Sequence, residues 1–472
     1  MASSNKKPNL VYVFADQLRY QACGYAGDTR ARTPNIDRLA TEGANFCNAV
    51  SGSPMCAPYR ASLFTGKYAS STGMAINELR MNPNHDCFGH VLHRNGYQTS
   101  YIGKWHLWAN QLGRHHDSQN SYIPPGPHRL GFDGEWSAYN FHHTYFDTYY
   151  HKDSPEKITI LGYEPDGQTD LAIEYLQRAS NEDDPFALFL SIGTPHDPWT
   201  QNNVPSEYYE MFRDVDFPLP PNYKEENDPY GDSWAMMSAD NRAKLPEWMR
   251  VYYAMTTNLD WNIGRLLNEI NELGMRDDTI FVFTSDHGEM FGAQGRKAKN
   301  IFYEEAVRIP FLVRWSNKIS GEHVADACLN TPDIMPTLLS MMDLPIPEDV
   351  EGSDLSPAAF ARSFDGPDAA FMQGMGCTAK WEDGYEWRAL RTKQHTYAVH
   401  RPDGCEILFD NEADPFQTRN LVGDPESLTL RDNFREMLKQ RMNALNDTFE
   451  ACTWYRDNWT EDRIILRTAT LR

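Results

Sequence analysis

Residues 9–17 read NLVYVFADQ, an apolar run that ends abruptly in Asp16 and Gln17. A short, unbroken apolar run bounded by polar residues is typical of a strand that is buried on both faces of a mostly parallel sheet. Three further runs have the same form, at 97–103, 186–194 and 279–285. These three runs are followed by the polar residues Lys104, His106, His196, Asp286 and His287.

The order of strands and helices predicts the fold class. Helical patterns alternate with the apolar runs, for example at 33–43, which is bounded by Pro34 and Gly43, and at 247–274. The sequence therefore predicts an α/β fold with a large, mostly parallel or mixed sheet sandwiched by helices. Because ligands bind at the carboxyl ends of parallel strands, we expect the polar residues behind the four runs to share one rim.

The pattern changes near residue 345, which divides the chain into two predicted domains. Residues 1–345 are predicted to form the larger α/β domain, and 346–472 a smaller α+β subdomain. In the second, antiparallel strands are expected around a turn at 402–404, followed by an amphipathic helix at 427–449. The aromatic segment at 110–166 is predicted to be ordered, and its paired histidines are expected to be packing or surface residues.

Composition excludes several classes of function. The 472 residues carry a formal net charge of −22, which argues against a nucleic-acid partner. No apolar run approaches the ~20 residues of a transmembrane helix, so no membrane contact is expected. Eight scattered cysteines form neither a disulfide framework nor a zinc signature. Without a signal-peptide pattern the chain is expected in the cytoplasm, or in the periplasm if a signal was trimmed.

Residues 51–66, SGSPMCAPYRASLFTG, place one of these cysteines before a predicted helix. Pro58 suits the first helical turn, so Cys56 lies near the helix N-terminus, where the pKa of a thiol is lowered. Arg60 adds a positive charge one turn away. From these residues alone Cys56 is either a small buried group or a reactive one, and an ordinary cysteine nucleophile is one option.

The stretch CAPYRASLFTG resembles the C-x-P-x-R…T-G signature of type I sulfatases of the alkaline phosphatase superfamily. Other stretches resemble later blocks of that family in the same order, namely GKWHL, TPHDPW, SDHGEMFG, YEEAVRIPFLVRW and EILFDNEADPFQTRNL. The resemblance covers nearly the whole chain apart from 110–166 and 198–248. It implies an alkaline-phosphatase-like fold.

The resemblance also implies roles for individual residues. Cys56 would be converted to formylglycine by a formylglycine-generating enzyme, and its hydrate would be the nucleophile. Arg60 and Lys104 would hold this residue, and His106 would be the base that collapses the intermediate. The substrate sulfate would be contacted by Lys104, His196 and Lys299, with Asn77 as a further substrate contact. The divalent metal would be bound by Asp16, Gln17, Asp286 and His287.

The implied reaction is hydrolysis of a sulfate monoester, carried by a small molecule or an oligosaccharide, with a sulfated carbohydrate as the favoured substrate. Metal and lysines would neutralise the sulfate oxygens, and His196 would protonate the leaving alcohol. A geminal diol is useful because its second hydroxyl can be deprotonated to eliminate sulfate and regenerate the aldehyde. A homo-oligomer is left open.

Two departures from the family pattern affect the expected metal and substrate. Gln17 and His287 stand where many sulfatases have Asp and Asn. Calcium is expected. Manganese is the alternative, because one carboxylate fewer and an imidazole ligand suit a softer ion. Phosphonate monoester and phosphodiester hydrolases of the same superfamily carry a similar Gln and His and are the alternative function. The pair Lys104 and His106 favours sulfate esters. A catalytically inactive relative that binds anions is the non-enzymatic alternative.

Overall fold

A computed structural model describes residues 7–108, 111–363 and 366–471 of the chain. Residue 110, the first of the predicted aromatic segment, and the outer ends of the two predicted domains lie outside these ranges.

The main sheet has eight strands in the order β10-β2-β9-β8-β1-β7-β3-β4. Their bounds are β1 Asn9–Asp16, β2 Ala44–Phe46, β3 Gln98–Lys104, β4 Trp136–Tyr139, β7 Phe186–Pro195, β8 Thr279–Ser285, β9 Phe311–Arg314 and β10 His323–Ala325. Strand β1 is parallel to β7 and β8, and β3 is parallel to β7 and β4. Strand β9 runs antiparallel to β8 and β2. The predicted mostly parallel, mixed sheet is therefore confirmed.

The central strand β1 shows why the sheet is covered on both faces. All eight of its residues are buried. Leu10, Tyr12 and Phe14 pack into one core, while Val11 and Val13 pack into another on the opposite face. Alternation along a strand sends neighbouring side chains to opposite faces, so an unbroken apolar run requires two layers of cover.

Helices cover the two faces of the main sheet, and further helices lie in the C-terminal region. Their bounds are α1 Pro34–Glu42, α2 Cys56–Thr65, α3 Ala69–Thr72, α4 Phe88–Arg94, α5 Ser118–Ser121, α6 Glu164–Ala179, α7 Ser206–Glu210, α8 Ala239–Glu272, α9 Glu304–Val307, α10 Thr331–Met341, α11 Ser356–Ala359, α12 Leu428–Ala444 and α13 Cys452–Trp459. Helices α1, α6 and α8 contribute to the core with Val11, and α2, α4 and α10 to the core with Phe14. None of the helices within the described ranges is long and apolar enough to span a bilayer.

Helix α8 begins eight residues before the predicted start at 247. It starts at Ala239 because Ser238 and Asn241 form a reciprocal capping box ahead of it. Pro246 lies inside the helix, and this proline is the reason that the sequence pattern suggested a later start.

The C-terminal region contains a separate antiparallel sheet in the order β11-β12-β13-β14. Its strands are β11 Ala370–Gly374, β12 Trp387–Arg391, β13 His395–His400 and β14 Glu406–Asp410. The predicted turn at 402–404 joins β13 to β14, and the helix predicted at 427–449 is α12, which ends earlier. Two hairpins complete the fold, β5 Phe146–Tyr150 with β6 Ile158–Tyr163 and β15 Thr460–Glu461 with β16 Ile464–Ile465. The antiparallel C-terminal sheet is thus confirmed.

Candidate active site

Four adjacent strands bring the predicted polar residues to one rim of the main sheet. Asp16 ends β1 and Lys104 ends β3, while His196 directly follows β7 and Asp286 directly follows β8. These strands are neighbours in the order β8-β1-β7-β3, so their carboxyl ends lie side by side. All four side chains are buried. The rim inferred from the four apolar runs therefore exists as a compact group of charged side chains.

Helix α2 presents Cys56 to this group. The helix begins at Cys56, whose exposed fraction is 1%. Its Sγ lies 3.4 Å from Nε2 of His287, 3.4 Å from Nζ of Lys299 and 3.6 Å from Oδ1 of Asp16. Burial alone would raise the pKa of the thiol, but the positive charges of Lys104 and Lys299 hold that pKa well below its usual range.

A candidate cation site is formed by Asp16, Asp286 and His287, with Cys56 beside them. Their ligand atoms all lie within 4.8 Å of one another, and all four residues are buried. Asp286 Oδ2 has no hydrogen-bond partner, which is costly for a buried carboxylate unless a cation binds there. His287 Nδ1 lies 3.0 Å from the carbonyl oxygen of Gly288 and donates to it, so that the lone pair of Nε2 faces the cluster. These donors fit a divalent metal ion.

Arg60 connects the candidate site to the main sheet through hydrogen bonds. One guanidinium nitrogen donates to the backbone oxygen of Lys104 at 2.5 Å and to Ser191 Oγ at 2.8 Å. The other terminal nitrogen lies 3.5 Å from Asp16 Oδ2 and 3.8 Å from Asp286 Oδ2. Arg60 is fully buried, so its charge directly offsets those of the two carboxylates.

Three more basic side chains complete this cluster, those of Lys104, Lys299 and His196. Lys104 Nζ donates to Asp16 Oδ2. Lys299 Nζ lies 2.7 Å from His196 Nε2, and His196 Nδ1 lies 3.1 Å from Asp197 Oδ1. Burial and Lys299 lower the pKa of His196, but Asp197 and Asp16 outweigh them and raise that pKa to about 9. His196 Nε2 can therefore take up a proton readily once Lys299 turns away from it.

Gln17 is held by a different set of contacts from the one expected of a metal ligand. Its Oε1 accepts from Lys299 Nζ at 2.7 Å, and its Nε2 donates to Glu289 Oε2 at 2.6 Å. Its backbone N–H donates to Asp286 Oδ1 at 2.9 Å, with a φ of 70°. Gln17 thus lies beside the cation site, and metal ligation by its oxygen stays a prediction.

Asn77 supports the helix that carries the cysteine. Its Oδ1 accepts from the backbone N–H of Ala57 at 3.0 Å, in the first turn of α2. Met55, the N-cap residue, supplies no side-chain hydrogen bond, so Asn77 provides the missing acceptor from a distant part of the chain. Its predicted contact with substrate stays a prediction.

Two residues at the site, Glu78 and Phe141, were not singled out from the sequence, whereas His143 belongs to a histidine pair that was expected to pack or to lie at the surface. Glu78 Oε1 lies 3.0 Å from His106 Nε2. Phe141 stacks on His106 with ring centroids 4.4 Å apart, and His143 stacks on His196 at 4.0 Å. Phe141 and His143 come from the aromatic segment predicted to be ordered, and their position explains its composition. Glu78 directly follows Asn77 but carries no pattern that marks it as functional.

Comparison with known proteins shows which family has a chain like this one. Residues 8–344 match the family model described as Sulfatase. The chain belongs to the sulfatase family. Residues 292–446 of this sulfatase also match a model described as the C-terminal region of N-sulphoglucosamine sulphohydrolase.

Relatives of known name are similar over nearly the whole sulfatase. It is 37% identical to an ulvan-active sulfatase from Formosa agariphila, covering 95% of this chain and 84% of the relative. It is 26% identical to an N-acetylglucosamine-6-O-sulfatase from Bacteroides thetaiotaomicron, covering 97% and 88%. A solved structure of a Bacteroides fragilis protein described as a sulfatase has a TM-score of 0.82 at 31% identity, covering 96% and 99%.

The phosphonate hydrolases, which were the alternative function, are less similar to this chain than the sulfatases named above. A phosphonate monoester hydrolase from Agrobacterium radiobacter is 20% identical, with a TM-score of 0.67, covering 92% of this chain and 95% of that one. A likeness at this level shows a common fold alone. The sulfatase reading of the sequence is therefore confirmed at the level of family and fold.

Proposed function

We propose that this sulfatase hydrolyses a sulfate monoester on a carbohydrate and releases inorganic sulfate. The observation that carries the proposal is the position of Cys56 at the start of α2, within 3.4 Å of Lys299 and beside the cation site. The named relatives support a sulfated carbohydrate as the substrate, because one is active on ulvan and another is an N-acetylglucosamine-6-O-sulfatase.

The sulfate group would bind where positive charge converges on Cys56. Lys299 Nζ contacts the sulfur atom of Cys56. Lys104 Nζ donates a hydrogen bond to Asp16, which is another neighbour of that sulfur atom. Fixed cations in a buried site stabilise charge that grows on the sulfate oxygens during bond breaking, without reorganising water. Substrate sulfate would draw Lys299 away from Gln17 and His196.

Members of the sulfatase family generally use formylglycine and a metal ion. Formylglycine made from Cys56 would supply a geminal diol as nucleophile, and a bound cation would polarise it together with the sulfate oxygens. The residues that would hold the cation are Asp16, Asp286 and His287, with Gln17 beside them. We propose Ca²⁺, with Mn²⁺ as the alternative, because the two carboxylates suit calcium whereas the imidazole suits manganese.

The remaining two residues, His196 and His106, would transfer protons during the reaction. His196, whose Nδ1 is held by Asp197, is placed to give a proton from Nε2 to the leaving alcohol. His106 is placed to take a proton from Cys56-derived oxygen, and its contact with the thiol is one cause of the lowered pKa of Cys56. Each histidine has one nitrogen held by a carboxylate, which leaves the other nitrogen for the reaction.

The test is sulfate release from defined sulfated saccharides. The enzyme would be prepared with conversion of Cys56 verified by peptide mass spectrometry, and supplied with either Ca²⁺ or Mn²⁺. Aryl sulfate and aryl phosphonate would be compared side by side, with Cys56→Ala as the control. Sulfate release that depends on Cys56 and exceeds phosphonate cleavage supports the proposal. Faster phosphonate cleavage, or no release from any sulfated saccharide by the converted enzyme, contradicts it.

A further inference from the structure

Glu78 and His106 form a buried pair beside Cys56. Their exposed fractions are 2% and 1%, and Glu78 Oε1 lies 3.0 Å from His106 Nε2. Both residues have left-handed backbone conformations, with φ of 62° and 59°. Non-glycine residues in this region are strained, and such strain is concentrated at functional sites. Two strained residues that meet through their side chains indicate an arrangement maintained for a purpose other than stability.

The hydrogen bond determines which ring nitrogen of His106 carries the proton. Burial would raise the pKa of Glu78, but the hydrogen bond with His106 keeps that pKa below its usual range, so Glu78 is a carboxylate. A carboxylate only accepts, so the shared proton lies on His106 Nε2. In the neutral ring, Nδ1 then has a free lone pair. Nδ1 is buried and has no hydrogen-bond partner, and it is the ring nitrogen left to serve Cys56.

The surroundings of the pair hold both members in place. Phe141 stacks on the His106 ring at 4.4 Å with an interplanar angle of 22°. Arg463, from the C-terminal part of the chain, donates to the backbone oxygen of Glu78 at 2.8 Å. The second carboxylate oxygen of Glu78 lies 3.8 Å from Nδ1 of His115. His115 lies beyond the hydrogen-bond range, so His106 is the principal partner of Glu78.

We propose that Glu78 is a positioning residue that fixes His106 in its Nε2–H tautomer and aims the Nδ1 lone pair at the Cys56-derived group. The carboxylate also stabilises the imidazolium that forms when Nδ1 takes a proton. The kinetic part of this inference rests on the proposed function, whereas the tautomer itself does not. Apart from Cys56, no other described residue bonds to either ring nitrogen of His106.

The tautomer can be measured without an active enzyme. The unconverted protein, with Cys56 intact, would be labelled with ¹⁵N-histidine, and the His106 resonances would be assigned by comparison with His106→Gln. Two-bond ¹H–¹⁵N spectra distinguish a protonated from an unprotonated ring nitrogen. We expect a protonated Nε2 and an unprotonated Nδ1. A protonated Nδ1 with a bare Nε2 would overturn the inference, whatever the activity of the enzyme.

The kinetic test compares Glu78→Gln with His115→Gln in the converted enzyme. Glu78→Gln keeps the shape of the side chain but removes the charge, and its amide can present a donor to Nε2. We expect kcat to fall about 10²-fold, at the lower end of what a general base contributes, with KM changed less than about twofold. His115→Gln should keep kcat within about twofold of the parent.

The two tests separate the possible failures. A kcat of Glu78→Gln that stays near the parent value, in a folded protein, would refute the positioning role. If Glu78→Gln does not fold, the spectrum of the parent protein still decides the tautomer. If the parent protein releases no sulfate, the proposed function fails, while the spectrum reports independently on the pair.

Discussion

Replacement of Asn77 tests how the cysteine-bearing helix is held. In Asn77→Ala the backbone N–H of Ala57 loses its acceptor at 3.0 Å. Met55 at the N-cap cannot replace it, since its side chain makes no capping hydrogen bond. Pro58 has no N–H, so Ala57 is one of few backbone donors in this turn. The substitution therefore acts directly on the turn that positions Cys56.

The cost follows from the chemistry of a helix cap. Loss of a capping side chain costs about 0.5–2 kcal/mol, and a buried N–H without an acceptor costs about 1–3 kcal/mol. Both ranges describe the loss of the same hydrogen bond, so they are not added. We expect the free energy of unfolding to fall by about 1–2 kcal/mol. For a chain of 472 residues this corresponds to a decrease in Tm of about 1–2 °C.

Asn77→Asp provides the matched control. Its carboxylate keeps an acceptor for Ala57, and a negative charge is favourable at a helix N-terminus. Thermal unfolding followed by circular dichroism should show a normal Tm for Asn77→Asp and a lower one for Asn77→Ala. If Asn77 also contacts substrate, Asn77→Asp should raise KM, because its charge repels the sulfate. An unchanged Tm in Asn77→Ala would refute the assigned capping role.

Three further predictions concern the cluster and the wider fold. Cys56→Ala should abolish sulfate release without altering the near-ultraviolet circular dichroism spectrum; residual turnover near the parent rate would exclude Cys56 as the nucleophile. Asp286→Ala, made in the unconverted protein, should weaken divalent metal binding by at least about 10²-fold in calorimetric titrations, because it removes a buried carboxylate from the cation site. Equal affinity in the two proteins would place the ion elsewhere. Glu164 is fully buried, and this burial raises its pKa to about 8, so the folded state favours the protonated form. Its contribution to stability is present at low pH and is lost as the pH rises from about 4.5 through about 8. Glu164→Gln should therefore lose less stability than the parent between pH 5 and 8 in urea titrations; parallel curves would contradict the raised pKa.

Much of the fold could be predicted because buried strands have a simple sequence pattern. The runs that became β1, β7 and β8 are unbroken because both faces of each strand are covered. The start of α8 was harder to predict from the sequence, because Pro246 resembles a helix boundary. In the structure the Ser238 cap starts the helix before this proline. Strand β4 is too short, at four residues, to separate from the aromatic segment around it.

The candidate site could be predicted where residues follow strand ends and not where side chains arrive from loops. Asp16, Lys104 and Asp286 are fixed by the strands that precede them. Glu78 lies in a loop without a sequence pattern, and its link to His106 depends on backbone conformations that only the folded chain reveals. The contacts of Gln17 likewise depend on Lys299, which is far away in sequence.

The near-complete enclosure of Cys56 restricts the order of events during synthesis. Its neighbours include Asp286 and His287, which leave the ribosome more than two hundred residues later, and the folded chain leaves its side chain 1% exposed. An enzyme that oxidised this thiol would have to bind the surrounding peptide, and the finished helix exposes almost none of Cys56. We therefore propose that any conversion of Cys56 takes place before the late strands arrive, and that protein which folds with the thiol intact would stay unconverted until it unfolds.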